Sequence, residues 1–220
     1  MCPSRDAQDV KPSSGAAAAP LQFHPPTAEE DRARAGYYAL LARLLYAGPD
    51  AALLEAIASA DEMAADGPGA GLANAWRALA AAARAMDAEA AQLEYDQVFV
   101  GTGKAEVTPY ASYYLSETGR EKVLVRLKQE LAEMGLARAE HAREPEDHFA
   151  GIFEVMRHLI SGSDDAALQK QKRFFIHFIA PSYSAFCSAI LTSEKANFYR
   201  YVGDFTQVFL DIETESLKVF

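Results

Sequence analysis

The sequence predicts an all-α protein built as a single globular bundle of roughly eight to ten helices. Apolar residues recur at helical spacing through most of the chain from Thr27 onward. Glycine and proline fall at the ends of these segments, and no segment shows the strict apolar–polar alternation of a half-buried strand. Hydrophobic residues make up 50% of the 220 positions, which is enough material for one well-filled domain.

The N-terminal segment, residues 1 to about 26, is rich in Pro, Ser and Ala and has no periodicity. Such a segment buries too little apolar surface to offset the entropy of ordering it, so we predict a disordered tail. The predicted helical domain therefore spans residues 27–220. Thr27 and Glu30 fit a capping box, which places the start of the first helix there.

Four helices are predicted before the middle of the chain. The first carries an apolar stripe and ends at Gly48-Pro49, and the second runs through Leu53, Leu54 and Ile57. After the breaker "DGPGAG", a third helix carries Trp76 and Leu79 among its apolar residues, and Asp87 caps a fourth. A long loop is predicted over residues 101–119.

The second half of the chain predicts further helices. The fifth covers "REKVLVRLKQELAEMG", and the sixth covers "EPEDHFAGIFEVMRHLI" with Pro145 in the first helical position. Glu146 and Asp147 would then complement the positive end of that helix. Asp164 or Asp165 caps a seventh helix, which Pro181 breaks or kinks, and the remainder forms one or two more.

Composition restricts the class of partner. The chain has 31 acidic and 21 basic residues, a net charge of −10, which repels phosphate backbones and favours a cationic partner. Of its two cysteines, Cys187 lies at an apolar helical position, so we predict that it is a reduced residue of the core. We find no secretory signal and no run of about 18 uncharged apolar residues, so the sequence predicts a cytoplasmic protein.

Motifs that would indicate catalysis or a bound cofactor are incomplete. "GTGK" at 101–104 lacks the upstream glycine and the following Ser or Thr of a phosphate-binding loop. His141 and His148 lie near Glu144, Glu146 and Asp147, but adjacent ligands on a helix point about 100° apart, unlike the three- or four-residue spacing of helical metal sites. We therefore predict no catalytic residue, no metal and no cofactor.

The loop over 101–119 is unusually aromatic. Tyr110, Tyr113, Tyr114 and Leu115 crowd a segment that is otherwise small and polar, so the loop either packs on the core or binds a partner. If Pro109-Tyr110 lies near Asp147-His148, the two segments make a groove with apolar walls and an acidic lip. Such a groove fits a peptide with an apolar stretch and basic residues.

Three segments together resemble one protein family. "EYDQVFVGTGKAEVTPYASYYL", "EPEDHFAGIFEVMRHLI" and "QKQKRFFIHFIAP" occur in the order and at about the spacing seen in the TorD/DmsD/NarJ family of cytoplasmic molybdoenzyme chaperones, also called redox enzyme maturation proteins. The E-P-x-D-H motif is the most specific part. The sequence of the first segment resembles that of the subtype encoded with formate dehydrogenases. One departure is Ser182, followed by Tyr183, where the family often has Trp after the Pro of "I-A-P".

The resemblance implies an all-helical protein without catalytic activity. It implies binding of the twin-arginine signal peptide of an apo-molybdoenzyme subunit, which is held in the cytoplasm until its cofactor is inserted. The peptide-binding residues that it suggests lie in the two motifs and in the aromatic positions before the loop: Asp147, His148, Glu146, Pro109, Tyr110, Ser112, Tyr95 and Phe99.

Other interpretations remain open from the sequence. One is a helical adaptor that binds a folded redox-enzyme subunit independently of its leader, and another is a small helical enzyme or nucleotide-binding regulator. The long loop and the proline hinge allow either a monomer or a domain-swapped dimer.

Overall fold

The computed structural model describes residues 28–60, 69–115, 119–139, 142–162 and 167–219. The predicted N-terminal tail, the Thr27 cap and the cap at Asp164 or Asp165 lie outside these ranges. Within them the protein is all-α, as predicted. The described ranges contain ten α-helices: α1 Ala28–Tyr46, α2 Ala51–Ser59, α3 Ala70–Ala85, α4 Ala88–Tyr95, α5 Ala111–Leu115, α6 Arg120–Glu133, α7 Phe149–Ser161, α8 Ala167–Phe174, α9 Tyr183–Thr192 and α10 Phe198–Val219.

Two helices continue into a π-helical turn. Asp96–Val100 extends α4, and Phe175–Ile179 extends α8 up to the break at Pro181. Gly101 ends the first of these turns with a φ of 65°, and a Cβ there would clash with the Lys104 carbonyl oxygen. The glycine of "GTGK" thus serves a tight helix exit.

The core is one continuous hydrophobic cluster to which most helices contribute. α1 packs along α7, and α10 packs against α3 and α9. Aromatic rings join these helices, and the Phe149 and Phe186 rings of α7 and α9 stack with centroids 4.1 Å apart. The predicted inward stripes of α7 and α10 are buried, which confirms the helical periodicity on which they were assigned.

Buried charges tie distant helices together. The Glu94 carboxylate of α4 accepts hydrogen bonds from the backbone N–H groups of Asn197, Phe198 and Tyr199, at 2.7, 3.0 and 2.8 Å. It therefore caps the start of α10 from another helix. Similarly, Arg34 of α1 donates to Glu213 of α10 through Nε at 2.7 Å and Nη2 at 2.9 Å.

The prediction of an uninterrupted loop over 101–119 was wrong, because residues Ala111–Leu115 form α5. Ala111 and Ser112 are buried, and Tyr114 donates its hydroxyl hydrogen to the Thr108 carbonyl at 2.9 Å. A single helical turn is too short to show periodicity in sequence, and its stability here comes from packing against α6 and α9.

The predicted start of the sixth helix was also wrong. α7 begins at Phe149, so Pro145, Glu146 and Asp147 form a turn before the helix and do not belong to its first turn. His148 has extended backbone dihedrals, φ −63° and ψ 132°, because the chain here pairs with the loop before α5. The local helix-start signals of "EPED" are overridden by this long-range pairing.

No single helix in the described part of the chain combines the length and apolarity needed to cross a bilayer. Ala167–Ile179 and Tyr183–Thr192 would meet that requirement only as a pair, and they are bent by 50° at the break between them.

Candidate functional site

The two motifs singled out in the sequence meet through their backbones. The Ala111 N–H donates to the Asp147 carbonyl at 2.8 Å, and the Phe149 N–H donates to the Pro109 carbonyl at 2.9 Å. These bonds form an isolated antiparallel bridge between Tyr110 and His148. The structure thus brings together residues that lie almost 40 positions apart.

His148 is the N-cap residue of α7. Its Nδ1 accepts the Ala150 N–H at 3.2 Å, and its ring lies edge-on to Tyr110 and Tyr46, with centroids 5.3 and 6.5 Å away. Burial lowers the pKa of His148 below its ordinary value, although the charges of Glu144 and Asp147 act in the opposite direction. A neutral ring with an unprotonated Nδ1 agrees with its role as hydrogen-bond acceptor at the cap.

The lowered pKa of His148 makes folding stability depend on pH. In the unfolded chain His148 has its ordinary pKa, near 6.5, so the unfolded state binds more protons than the folded state just below that pH. The contribution of neutral His148 is present above pH 6.5 and is lost as the pH falls through the window between its unfolded and folded pKa values. We expect His148→Asn, which keeps a capping acceptor, to lose less stability than the wild type between about pH 7 and pH 5. Denaturant unfolding across that range measures the difference, and parallel pH profiles would contradict the prediction.

The structure buries most of the predicted peptide-binding residues. Asp147, Pro109 and Ser112 are buried around the bridge, whereas Tyr110 and Glu146 are half-buried. The Tyr110 hydroxyl donates to Glu144 Oε2 at 2.6 Å, and burial together with this carboxylate raises the pKa of Tyr110. Glu144, which opens the E-P-x-D-H motif, is therefore fixed to the loop.

Tyr95 and Phe99 lie in the core. The Tyr95 hydroxyl donates to the carbonyls of Leu45 and Tyr46, at 3.2 and 2.9 Å, and so satisfies the end of α1. Burial raises the pKa of Tyr95 to about 12. Phe99 packs edge-on against Tyr199 of α10 with centroids 5.0 Å apart. Tyr95 thus links α4 to the end of α1, and Phe99 links the turn after α4 to α10.

The predicted groove between the loop and the helix entrance is absent from the described residues, because backbone hydrogen bonds join these two segments directly. A cavity of about 700 Å³ lies beside them instead. We call it the α1–α7 cavity. It is open to solvent and mainly apolar, and its walls come from α1, the end of α6, the segment leading to α7, and α7 itself. Its lining residues are Ala39, Ala42, Arg43, Tyr46, Leu131, Leu136, Ala137, Arg138, Ala139, Ala142, Glu144, Pro145, Glu146, His148, Ala150, Gly151, Glu154, Val155, Arg157 and His158.

The charged residues around the α1–α7 cavity are both acidic and basic, so its edge is not acidic alone. All three of its arginines lie beside carboxylates: Arg43 pairs with Asp50 at 2.8 Å, Arg157 with Glu154 at 2.7 Å and Arg138, less closely, with Glu146 at 3.9 Å. Among the described residues Glu144 forms no ion pair. Glu146 is flanked by Lys128 Nζ at 3.6 Å and Arg138 Nε at 3.9 Å, so Glu144 is the acidic group of the cavity that has no ion pair with a described residue.

Sequence reasoning missed the contribution of α1. Tyr46 is an exposed aromatic residue of α1 that lies beside the stripe facing the core. An aromatic residue at such a position was the one sequence signal that could have indicated a binding surface on α1. Ala39 and Ala42 gave none, since small residues at helical positions are consistent with any close packing. In the described chain, no group of three or more His, Cys, Asp or Glu side chains is placed to hold a metal ion.

Comparison with known proteins agrees with the fold and with the motifs that form the bridge. The family model for the nitrate reductase delta subunit matches residues 65–188, which is more than half of the chain and includes both motifs. The chain belongs to the nitrate reductase delta subunit family. The resemblance to TorD/DmsD/NarJ proteins is thereby confirmed, while the formate-dehydrogenase subtype stays a prediction.

Several relatives of this family member are proteins named chaperone protein TorD. The one from Shewanella loihica is 26% identical over 135 residues, covering 56% of this chain and 61% of the relative. The one from Vibrio parahaemolyticus is 30% identical over 93 residues, covering 40% and 43%, respectively. The one from Vibrio atlanticus is 28% identical over 151 residues, covering 61% and 69%. The first two matches span less than two thirds of the relative's own length.

A solved structure supports the fold of this family member. A protein described as a redox enzyme maturation protein from Archaeoglobus fulgidus superposes with a TM-score of 0.52, covering 89% of this chain and 98% of that chain. The two sequences are 20% identical, so this similarity concerns the fold alone.

Proposed function

We propose that this protein is a cytoplasmic chaperone, without catalytic activity, that binds the twin-arginine signal peptide of an apo-molybdoenzyme subunit. It would hold that subunit until the cofactor is inserted and so delay export. The α1–α7 cavity carries the proposal, because it combines a mainly apolar surface with two carboxylates at its edge. Glu144 forms no ion pair with a described residue, and the two basic neighbours of Glu146 lie 3.6 and 3.9 Å away, beyond hydrogen-bond distance. The chaperone names of the TorD relatives support it.

The chemistry of the cavity complements both halves of such a signal. A twin-arginine signal places two guanidinium groups before an apolar stretch, and a solvent-open cavity of about 700 Å³ can hold several apolar side chains. Glu144 and Glu146 lie at its edge, where each could accept a guanidinium through paired charge-assisted hydrogen bonds. The net charge of −10 would speed the approach of a basic segment.

Burial divides the predicted peptide-binding residues into two roles. His148, Glu146 and, through Glu144, Tyr110 contribute to the surface of the α1–α7 cavity. Asp147, Pro109 and Ser112 would act by holding the bridge. Tyr95 would act by fixing the end of α1, and Phe99 by packing against α10. In this proposal the E-P-x-D-H motif shapes the peptide site as much as it contacts the peptide.

Calorimetric titration with a synthetic twin-arginine leader tests the proposal. We expect the double substitution Glu144→Gln/Glu146→Gln to weaken binding about tenfold or more, because each charge-assisted hydrogen bond contributes roughly 1.5–3 kcal/mol. Replacing Glu89 and Glu121 with Gln changes the net charge equally at exposed positions outside the cavity and should leave affinity within about twofold.

A pull-down with the client subunit separates this function from the helical adaptor. If the subunit binds equally well with and without its leader, the protein recognises the folded subunit and the signal-peptide proposal is wrong. Binding that requires the leader supports the proposal.

A further inference from the structure

Glu146 lies between two basic residues of the protein itself. Its Oε2 is 3.6 Å from Lys128 Nζ, and its Oε1 is 3.9 Å from Arg138 Nε. Both distances exceed the range of a hydrogen bond. The two cations therefore offset the charge of the carboxylate without donating hydrogen bonds to it. Lys128 belongs to α6, whereas Arg138 follows that helix and lines the α1–α7 cavity.

The two cations and the carboxylate differ strongly in exposure. The Glu146 side chain is 14% exposed, whereas those of Lys128 and Arg138 are 54% and 45% exposed. Glu146 is therefore largely enclosed, whereas the charged groups of the two cations reach solvent and can exchange their contact with Glu146 for water at little cost. Arg138 also donates to the carbonyls of Ala142 and Glu144, at 3.2 and 3.4 Å, which keeps it beside the segment that leads to α7.

We propose that Lys128 and Arg138 determine the specificity of the α1–α7 cavity for ligands with two adjacent cations, by competing with the ligand for Glu146. This inference rests on the proposed function. A ligand with one cation displaces one of the two residues. The other residue still neutralises Glu146 and repels the cation of the ligand. A ligand with two adjacent cations replaces both. Repulsion built against the wrong ligand is a general source of specificity.

Titration of the protein with two synthetic peptides tests this inference. Both peptides carry the same apolar stretch, preceded by Arg-Arg in one and by Arg-Gln in the other. We expect the wild type to prefer the Arg-Arg peptide. We expect Lys128→Gln/Arg138→Gln to bind both peptides more tightly, by about two- to fivefold for the Arg-Arg peptide and by more for the Arg-Gln peptide, so that the preference shrinks.

A matched control removes the same charge elsewhere. Lys122 and Arg143 are exposed, do not line the cavity and are not the cations beside Glu146. Lys122→Gln/Arg143→Gln should therefore change both affinities by the same small factor and leave the preference intact. The effects of substituting Lys128 and Arg138 on affinity should diminish at 0.5 M salt, because the Debye length is then about 4 Å.

Three outcomes decide the matter. Weaker binding by the double variant, or an unchanged preference, would overturn the inference while leaving the proposed function intact. Failure of the wild type to bind either peptide would overturn both. If loss of the Arg138 hydrogen bonds unfolds the double variant, Lys128→Gln alone provides the test, because it should tighten Arg-Gln binding more than Arg-Arg binding.

Discussion

Replacing Glu94 with alanine is expected to lower the free energy of unfolding by about 3–5 kcal/mol. Glu94 is 8% exposed, and its carboxylate accepts hydrogen bonds from three backbone N–H groups at the start of α10, all within 3.0 Å. Alanine would leave these donors without their acceptor in a largely buried place. Each such donor costs about 1–3 kcal/mol, and partial access of water limits the sum.

Denaturant unfolding measures this loss, with circular dichroism as the signal. Glu94→Gln, which keeps an acceptor oxygen but removes the charge, should lie between the wild type and Glu94→Ala. Glu89→Ala is the matched control, since Glu89 is an exposed glutamate of the same helix and should change stability by about 0.5 kcal/mol or less. Equal stabilities of the alanine variants at 89 and 94 would show that the α10 cap contributes nothing.

Replacing Ala39 with phenylalanine is expected to reduce leader binding about tenfold or more while folding is preserved. Ala39 is half-buried in α1 and lines the α1–α7 cavity, so a phenyl ring there occupies space in which apolar side chains of the peptide would lie. The position faces an open cavity, which allows the ring to enter without displacing core residues. Calorimetric titration gives the affinity, and thermal unfolding tests the fold.

Two further substitutions make this experiment decisive. Val155→Phe fills the same cavity from α7 and should weaken binding in the same way, whereas Ala78→Phe adds a ring at a half-buried position of α3 outside the cavity. Wild-type affinity in both folded cavity variants would place the peptide elsewhere on the surface. Equal weakening by Ala78→Phe would indicate a general effect on the fold.

Most of the helices were predictable because helical periodicity is a local property. The stripes of α7 and α10, the Asp87 cap of α4 and the breaks at Gly48-Pro49 and Pro181 are confirmed. Local signals misled at one place, where the "EPED" sequence has every mark of a helix start. There the backbone of residues 147–149 pairs with that of 109–111, and this pairing moved the cap to His148.

The candidate site was only partly predictable, because its surface is made by segments far apart in sequence. The motifs identified the bridge between Tyr110 and His148, yet they placed the binding groove between two segments that are in fact joined. The α1–α7 cavity depends on how closely α1 approaches α7 and where the chain after α6 returns. No short-range pattern encodes those distances.

The sequence by itself determined the fold class, the order of the helices, the acidic character of the protein and its family motifs. Only the tertiary structure decided which of those motif residues reach solvent, where the apolar surface opens, and that Glu146 lies between Lys128 and Arg138. The physical reason is that helix formation follows from neighbours three or four positions away, whereas a cavity and its charges follow from packing between helices that the chain connects through long intervals.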